Sequence, residues 1–435
     1  MTKTPLADAV KSYALQNQTR FHMPGHKGCD AGLFSASFCQ YDVTELSETD
    51  NLLSPTGCIR EAQALCARAA GANCSFFTTG GSTAGILAMF KAVLKSGDRV
   101  IVDRGCHISV YAALAVSGGV PVYVRGDFNA SLGAFCPPTL SEIEKKFREN
   151  PSVRAVFITS PNAFGITAPL SEIAAFCRKN NLYLLVDEAH GAHFAFAPDC
   201  PPTALSQGAD LCVQSYHKTL PALTGAAVLH VGSPALGARA DAALRLFQST
   251  SPSYLLLASI DSARAAAEES AEKWASLGRV IRENAPPNLL PTSDPYRLVV
   301  LCDGHRTAKM LEKANIVPEM TGSHGAVFIV TMADTPDAVK KLLALAKTFP
   351  ASCAPAMLPP PCPMRMTPSM VFDALHETVP VKEAAGRISA KAVFRYPPGT
   401  AVLAPGEEIT EDMRTYLVEH EDMPSQIEVI KKHTM

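Results

Sequence analysis

Four short stretches hold the residues best able to do chemistry. "TTGGSTAG" (78–85) lies between an apolar run and a helical pattern. Its glycines, Gly81 among them, let backbone approach a ligand. Ser82 and Thr83 stand where a helix's first N–H groups lack partners, an arrangement suited to phosphate. The stretch departs from both G-x-x-x-x-G-K-[ST] and G-x-G-x-x-G, which argues against ATP and dinucleotides. In "DRGCHIS" (103–109), His107 follows an apolar run. In "LLVDEAHGAHF" (184–194), Asp187 ends a very apolar one, where a carboxylate is costly without a cation. "LCVQSYHKTLPALTGAAVLH" (211–230) sets Lys218 before a long apolar segment, although most lysines are solvated.

Each stretch has a plainer reading: a glycine turn with a serine cap, a structural histidine, an aspartate capping a turn, a lysine that snorkels. Their order along the chain carries more. A phosphate loop, a histidine, an aspartate and a lysine all follow predicted strands, at the edge where open α/β sheets bind ligands. Pyridoxal phosphate (PLP) needs all four. It has a phosphate to cradle, a ring to stack on, a pyridine nitrogen to keep protonated and an aldehyde that joins a lysine amine. Burial lowers a lysine pKa, by up to ~3–5 units when complete, so an apolar setting suits a reactive amine.

The elements that must position these residues are legible in the pattern. Apolar runs "CSFFTT", "DRVIVDR", "PVYVRG", "RAVFITS", "LYLLVDEA", "LCVQSY" and "GAAVLHV" alternate with helical segments. That predicts a mainly parallel sheet with helices on both faces. Thr139 and Glu142 form a capping box. A long helical segment follows Tyr254. "YRLVVLCDG" through "TPDAVKKLLALAKTF" reads as strand-helix-strand-helix, a small α+β unit, with Thr335 capping a helix that begins at Pro336. Proline and glycine make "RYPPGTAVLAPGEEI" a region of loops and bends.

Composition sets the outer limits. The chain has 435 residues, 47% apolar and 18% charged, a globular balance long enough for more than one domain. A net charge of −2 offers no field for nucleic acid. No apolar run reaches membrane-span length, and the N-terminus lacks a secretory h-region. Thirteen scattered cysteines without a C-x-x-C pair suggest reduced thiols and a cytoplasmic location.

With these residues in hand, the chain resembles the PLP-dependent ornithine/lysine/arginine decarboxylases, of aspartate-aminotransferase-like fold. It is most similar to their shorter bacterial branch without a wing domain. The matching stretches include "FHMPGHKG" (21–28), "DVTEL" (42–46), "GGSTAG" (80–85), "LLVDEAHGAHF", "QSYHKTLPALTGAAVLH" (214–230), "TSPSYLLLASID" (250–261), "ETVP" (377–380) and "RYPPGTAVLAPGE" (395–407). The resemblance implies a large PLP-binding domain with a seven-stranded sheet over 56–284. It adds an N-terminal segment over 1–55 and a smaller C-terminal α+β domain over 285–435.

It also implies roles. Lys218 is the Schiff-base lysine, Asp187 the ring-nitrogen partner, His107 the stacking residue and Ala189 the contact on the opposite ring face. Ser82, Thr83, Ser215 and His217 hold the phosphate, with Gly81 giving backbone access. His190 sits near the cofactor's oxygen side. Thr250 and Ser251 reach the other subunit's phosphate, so a homodimer is the minimal unit. Glu377 is the acid for the substrate's distal cation, with Asp42 or Glu45 from the partner chain as alternatives. Lys218 or His217 returns the proton to Cα.

Three positions depart from the family pattern: Ile108 where lysine is common, "NAFG" (162–165) where a Thr-Tyr-Tyr-Gly type sequence is common, and the lead-in "LH" before Glu377. Asn162 is similar to the asparagine that aminotransferases of this fold place by the ring hydroxyl, which keeps transamination open. Other competitors are aldol-type cleavage, a non-catalytic PLP-binding relative, and a metal-dependent hydrolase built on "HMPGH" (22–26), "HGAH" (190–193) and His217. The last leaves Lys218 and the glycine loop unexplained, so no resident metal is expected.

Overall fold

The computed structural model describes residues 2–16, 18–351, 356–395, 400–420 and 423–432. All seven expected runs are strands: β1 (Cys74–Thr78), β2 (Arg99–Asp103), β3 (Val120–Val124), β4 (Val153–Thr159), β5 (Tyr183–Asp187), β6 (Leu211–Ser215) and β7 (Ala227–Val231). They form one sheet in the order β1-β7-β6-β5-β4-β2-β3. β2 pairs parallel with β3 and β4, while β7 runs antiparallel to β6 and β1. Every residue of β6 and β7 is buried, which explains why these strands read as continuous apolar runs rather than alternating ones.

The chain divides into two compact units. The first combines 1–92, 186–279 and 331–336. Its N-terminal helix, Pro5–Leu15, is tied down where the Leu6 N–H donates to Asp261 Oδ2 at 3.0 Å. Asp261 in turn pairs with Arg264 at 2.9 Å, both fully buried. Helix Cys58–Ala70 ends on Gly71 at φ 70°, the left-handed conformation that glycine adopts without strain. The long helix expected after Tyr254 is two, Tyr254–Glu268 and Ala271–Asn284. Ser270 divides them. Its hydroxyl donates back to Ala267 O at 2.7 Å, and its carbonyl accepts the Trp274 N–H at 3.1 Å.

The second unit combines 93–185, 280–330 and 337–435. The capping box of Thr139 and Glu142 is formed. Its small α+β portion contains β8 (Arg297–Leu301), β9 (Met320–Gly322) and β10 (Gly325–Ile329), antiparallel in the order β8-β10-β9. The short β9 was not expected from the sequence; it folds back on β10 as a hairpin. Helix Pro336–Ala346 begins at the proline. Further on, β11 (His376–Pro380) pairs with β14 (Gln426–Ile430), and β12 (Val393–Arg395) with β13 (Thr400–Leu403). β12 and β13 correct the reading of that region as loops. Val393, Val402 and Leu403 pack into a buried cluster with Ile409, Tyr416 and Val429, and this burial outweighs the glycine and proline signals. Tyr396–Gly399 of the "RYPPG" stretch lie outside the described residues. Among the described residues no helix is long and apolar enough to cross a membrane.

Candidate active site

Lys218 lies in a single helical turn, Tyr216–Thr219, that follows directly on β6. The turn is anchored by Tyr216, which is buried with its hydroxyl 3.0 Å from Cys66 Sγ. Lys218 itself is half-buried, and its Nζ lies 3.2 Å from His190 Nε2. His190 comes just after the end of β5. There Asp187 is 3% exposed, and its Oδ1 accepts the Ala189 N–H at 3.0 Å. The Glu188 N–H donates to Val213 O at 2.9 Å, so the loop carrying Asp187, Ala189 and His190 is pinned to the strand that leads into Lys218.

The glycine loop meets the same turn. Gly81 has φ 68°, and its N–H donates to Gly225 O at 3.0 Å. The next residue, Ala226, presents its carbonyl to His217 Nδ1 at 3.0 Å. A carbonyl only accepts, so Nδ1 carries a hydrogen and Nε2 is the nitrogen left to face a ligand. Helix Gly81–Val93 starts on this loop and packs against β6, with Gly85 so close that a Cβ there would sit 2.5 Å from Val213 Cγ2. Glycine at position 81 supplies shape rather than a donor, because its N–H is already used and, among the described residues, nothing lies within 4 Å of where its Cβ would be.

Ser215 tests whether PLP fits. Its Oγ is buried, as is Thr219 Oγ1, and neither has a hydrogen-bond partner among the described residues. A buried hydroxyl without a partner costs about 1–3 kcal/mol, and a phosphate oxygen beside Ser215 would remove that cost. In the first turn of helix Gly81–Val93, which holds Ser82 and Thr83, the N–H groups have no intrahelical partners either. Phosphate acceptors are what this corner lacks, and an amine on Lys218 and a carboxylate on Asp187 stand on the two adjoining segments.

The remaining expected residues sit as follows. His107 is exposed and caps helix Ile108–Ser117; its Nδ1 accepts the Ser109 N–H at 3.3 Å, which leaves the hydrogen on Nε2. Thr250 and Ser251 are exposed. Asp42 is 3.2 Å from His26. Glu45 accepts from the Thr44 hydroxyl through Oε2, while its Oε1 is buried with no partner among the described residues. Glu377 is taken up in an ion pair with Arg387, which holds its carboxyl below the usual range. Asn162 uses its Oδ1 on its own turn, accepting from Phe164 and Ile166 N–H at 3.0 and 3.1 Å. The histidines weighed as metal ligands are engaged separately: His22 with Tyr13, His26 with Asp42, His190 with Lys218, and His193 stacked on Trp274 at 5.4 Å.

Sequence reasoning missed a polar chain buried behind Asp187. Glu188 accepts from Gln214 Nε2 at 2.7 Å and from the Ala204 N–H at 2.7 Å. Gln214 Oε1 lies 3.1 Å from His230 Nε2, and His230 Nδ1 lies 2.7 Å from Ser75 Oγ. Burial pushes the Glu188 carboxyl up to about 7 despite these hydrogen bonds, and pushes His230 down to about 3. The available signal was Glu188 itself, a second acid at the end of a wholly apolar strand.

Known proteins define the class. Residues 4–284 match the family model "Orn/Lys/Arg decarboxylase, major domain", and 346–427 match its C-terminal domain. The chain belongs to the Orn/Lys/Arg decarboxylase family. It is 30% identical to an arginine decarboxylase of Bacillus subtilis, over 97% of this chain and 94% of that one. Its fold is that of the Francisella novicida lysine decarboxylase LdcF, with TM-score 0.81 and 19% identity over 98% of this chain and 81% of that one. A structure described as SPT with a PLP internal aldimine shares the fold more distantly, at TM-score 0.56 and 16% identity over 79% of this chain and 82% of that one.

Proposed function

We propose that this chain decarboxylates a basic amino acid, arginine foremost, with PLP as cofactor, giving carbon dioxide and agmatine or the corresponding polyamine. The observation that carries the reading is the Lys218 turn: an amine 3.2 Å from His190, on a turn that directly follows Ser215, whose buried hydroxyl has no hydrogen-bond partner among the described residues. The near full-length relative named for arginine favours that substrate over lysine or ornithine. When bound, PLP supplies an aldehyde for the substrate amine and a protonated ring that accepts the electron pair left behind as carbon dioxide departs.

The protein's part is to hold and to move protons. Ser82, Thr83 and Ser215 hold the phosphate, joined by His217 when its ring carries a hydrogen on Nε2 as well as on Nδ1. Asp187 keeps the proton on the pyridine nitrogen, a role its burial strengthens by weakening competing water. His107 and Ala189 take the two ring faces. The Lys218 amine carries the cofactor between turnovers and releases the product, and Lys218 or His217 delivers the proton to Cα. Among the acids considered for the substrate's distal cation, Glu45 has a buried oxygen with no partner among the described residues, whereas Glu377 is paired. Glu45 therefore leads. The unit is a cytoplasmic homodimer in which Thr250 and Ser251 complete the other subunit's phosphate site. Residues 1–55, 56–284 and 285–435 act as N-terminal segment, large domain and small domain.

An absorption spectrum with borohydride reduction and peptide mapping tests the cofactor; a yellow protein labelled at Lys218 is expected. Carbon dioxide release from arginine, lysine and ornithine tests the reaction, and Lys218→Ala should abolish it. Label at another lysine, or no carbon dioxide from any of the three, refutes the proposal.

A further inference from the structure

The second unit contains a cavity of about 400 Å3 that the decarboxylase reading leaves unused. Tyr123 and Arg125 line it from the end of β3 and the residue after it, Lys145 from helix Leu140–Glu149, and Arg104, Cys362 and Glu407 from behind. Its charges do not balance. Arg104 and Glu407 cancel each other through a bidentate pair at 2.8 and 3.3 Å. Lys146, also on the wall, is paired with Glu149 at 3.0 Å, and Glu142 is committed to the Thr139 cap at 2.8 Å.

Two cations are left over. Arg125 is half-buried and has no ion pair among the described residues; its guanidinium lies 5.3 Å over the Phe135 ring. Burial and the nearby Arg104 charge both disfavour its charged form. Lys145, on the same wall, is exposed and likewise has no ion pair among the described residues. The third observation is independent of charge. The Tyr123 hydroxyl is buried and has no hydrogen-bond partner among the described residues, while the Arg104 guanidinium lies 5.3 Å over its ring.

We propose that this cavity binds a small organic phosphate, with the phosphate between Arg125 and Lys145 and within reach of the Tyr123 hydroxyl. A dianion neutralises both surplus cations, and three donors suit three phosphate oxygens. The volume exceeds a bare phosphate and falls in the range of small-molecule sites, which leaves room for an organic body. Binding would also relieve the unfavourable charge on Arg125.

The test is titration calorimetry of the holoprotein, loaded with PLP and then freed of excess cofactor, so that the cofactor's phosphate site is filled while no free PLP competes for the cavity. Phenyl phosphate is the probe, with inorganic phosphate and phenol as comparisons. Phenyl phosphate should bind, inorganic phosphate more weakly, and phenol not at all. Arg125→Ala and Lys145→Ala should each weaken binding at least tenfold, as expected for loss of a charge-assisted contact. Tyr123→Phe should weaken it less. Melting of the unliganded variants checks folding; if Arg125→Ala unfolds, the exposed Lys145→Ala variant decides. No binding at millimolar probe, equal binding of phenol, or affinity unchanged in Lys145→Ala would overturn the proposal.

Discussion

Gly85→Ala probes how the phosphate loop is positioned. The added Cβ would sit 2.5 Å from Val213 Cγ2 and 3.3 Å from Val213 Cβ. Val213 cannot turn aside readily, because it is fully buried and β-branched side chains are stiff at χ1. Overpacking of this kind costs about 1–3 kcal/mol. Alanine returns about 0.5–1 kcal/mol through its better helix propensity. The net expectation is a loss of about 1–2 kcal/mol, read as a lower urea midpoint of the apoprotein. The same push moves the start of helix Gly81–Val93 away from Ser215, so PLP affinity should fall as well. In a double-mutant cycle, Val213→Ala should relieve the clash, with a coupling of about 1 kcal/mol or more. A Gly85→Ala protein as stable as the parent, with unchanged PLP affinity, would show that the loop is not held by this contact.

Two further outcomes follow from buried charges. Below about pH 4.5 Glu188 carries its proton in both folded and unfolded states; between 4.5 and about 7 only the folded state keeps it, so stability falls as pH rises through that window. Glu188→Gln should remove this slope and cost less at pH 7.5 than at pH 5, measured by urea midpoints; parallel pH profiles for the two proteins would refute it. Glu407→Gln leaves the fully buried Arg104 guanidinium without its carboxylate and should cost about 3–5 kcal/mol, whereas replacing both partners by apolar residues should cost much less. Thermal melts of the single and double variants separate these cases.

The sheet was legible because buried strands and their crossover helices leave opposite signatures, short continuous apolar runs against 3.6-residue periodicity. The candidate site could be read as a candidate for a related reason: Lys218, Asp187, His107 and "GGSTAG" stand where apolar runs end, so polar and glycine-rich breaks are conspicuous there. What escaped was set by non-local burial. Nothing near Ser270 marks a helix break, since its three hydrogen bonds are to the helices on either side. β13 reads as loop until the packing of Val402 and Leu403 is known. The Arg387 partner of Glu377 and the empty acceptor of Glu45 depend on which side chains meet, which spacing alone does not encode.

The Glu188 chain crosses the sheet rather than following a strand. Ser75 is on β1, His230 on β7, Gln214 on β6, and Glu188 follows β5, so one line of side chains threads three neighbouring strands and ends just past the fourth. Such a line has a polarity. With Glu188 ionised, every hydrogen points toward it: Ser75 donates to His230, His230 to Gln214, and Gln214 to the carboxylate. A proton donated onward by Glu188 reverses the whole sequence: the Gln214 amide turns over, His230 changes tautomer and the Ser75 hydroxyl swings round. The protonation state beside Asp187 is thereby written into the orientation of a serine at the root of the strand that leads to the glycine loop.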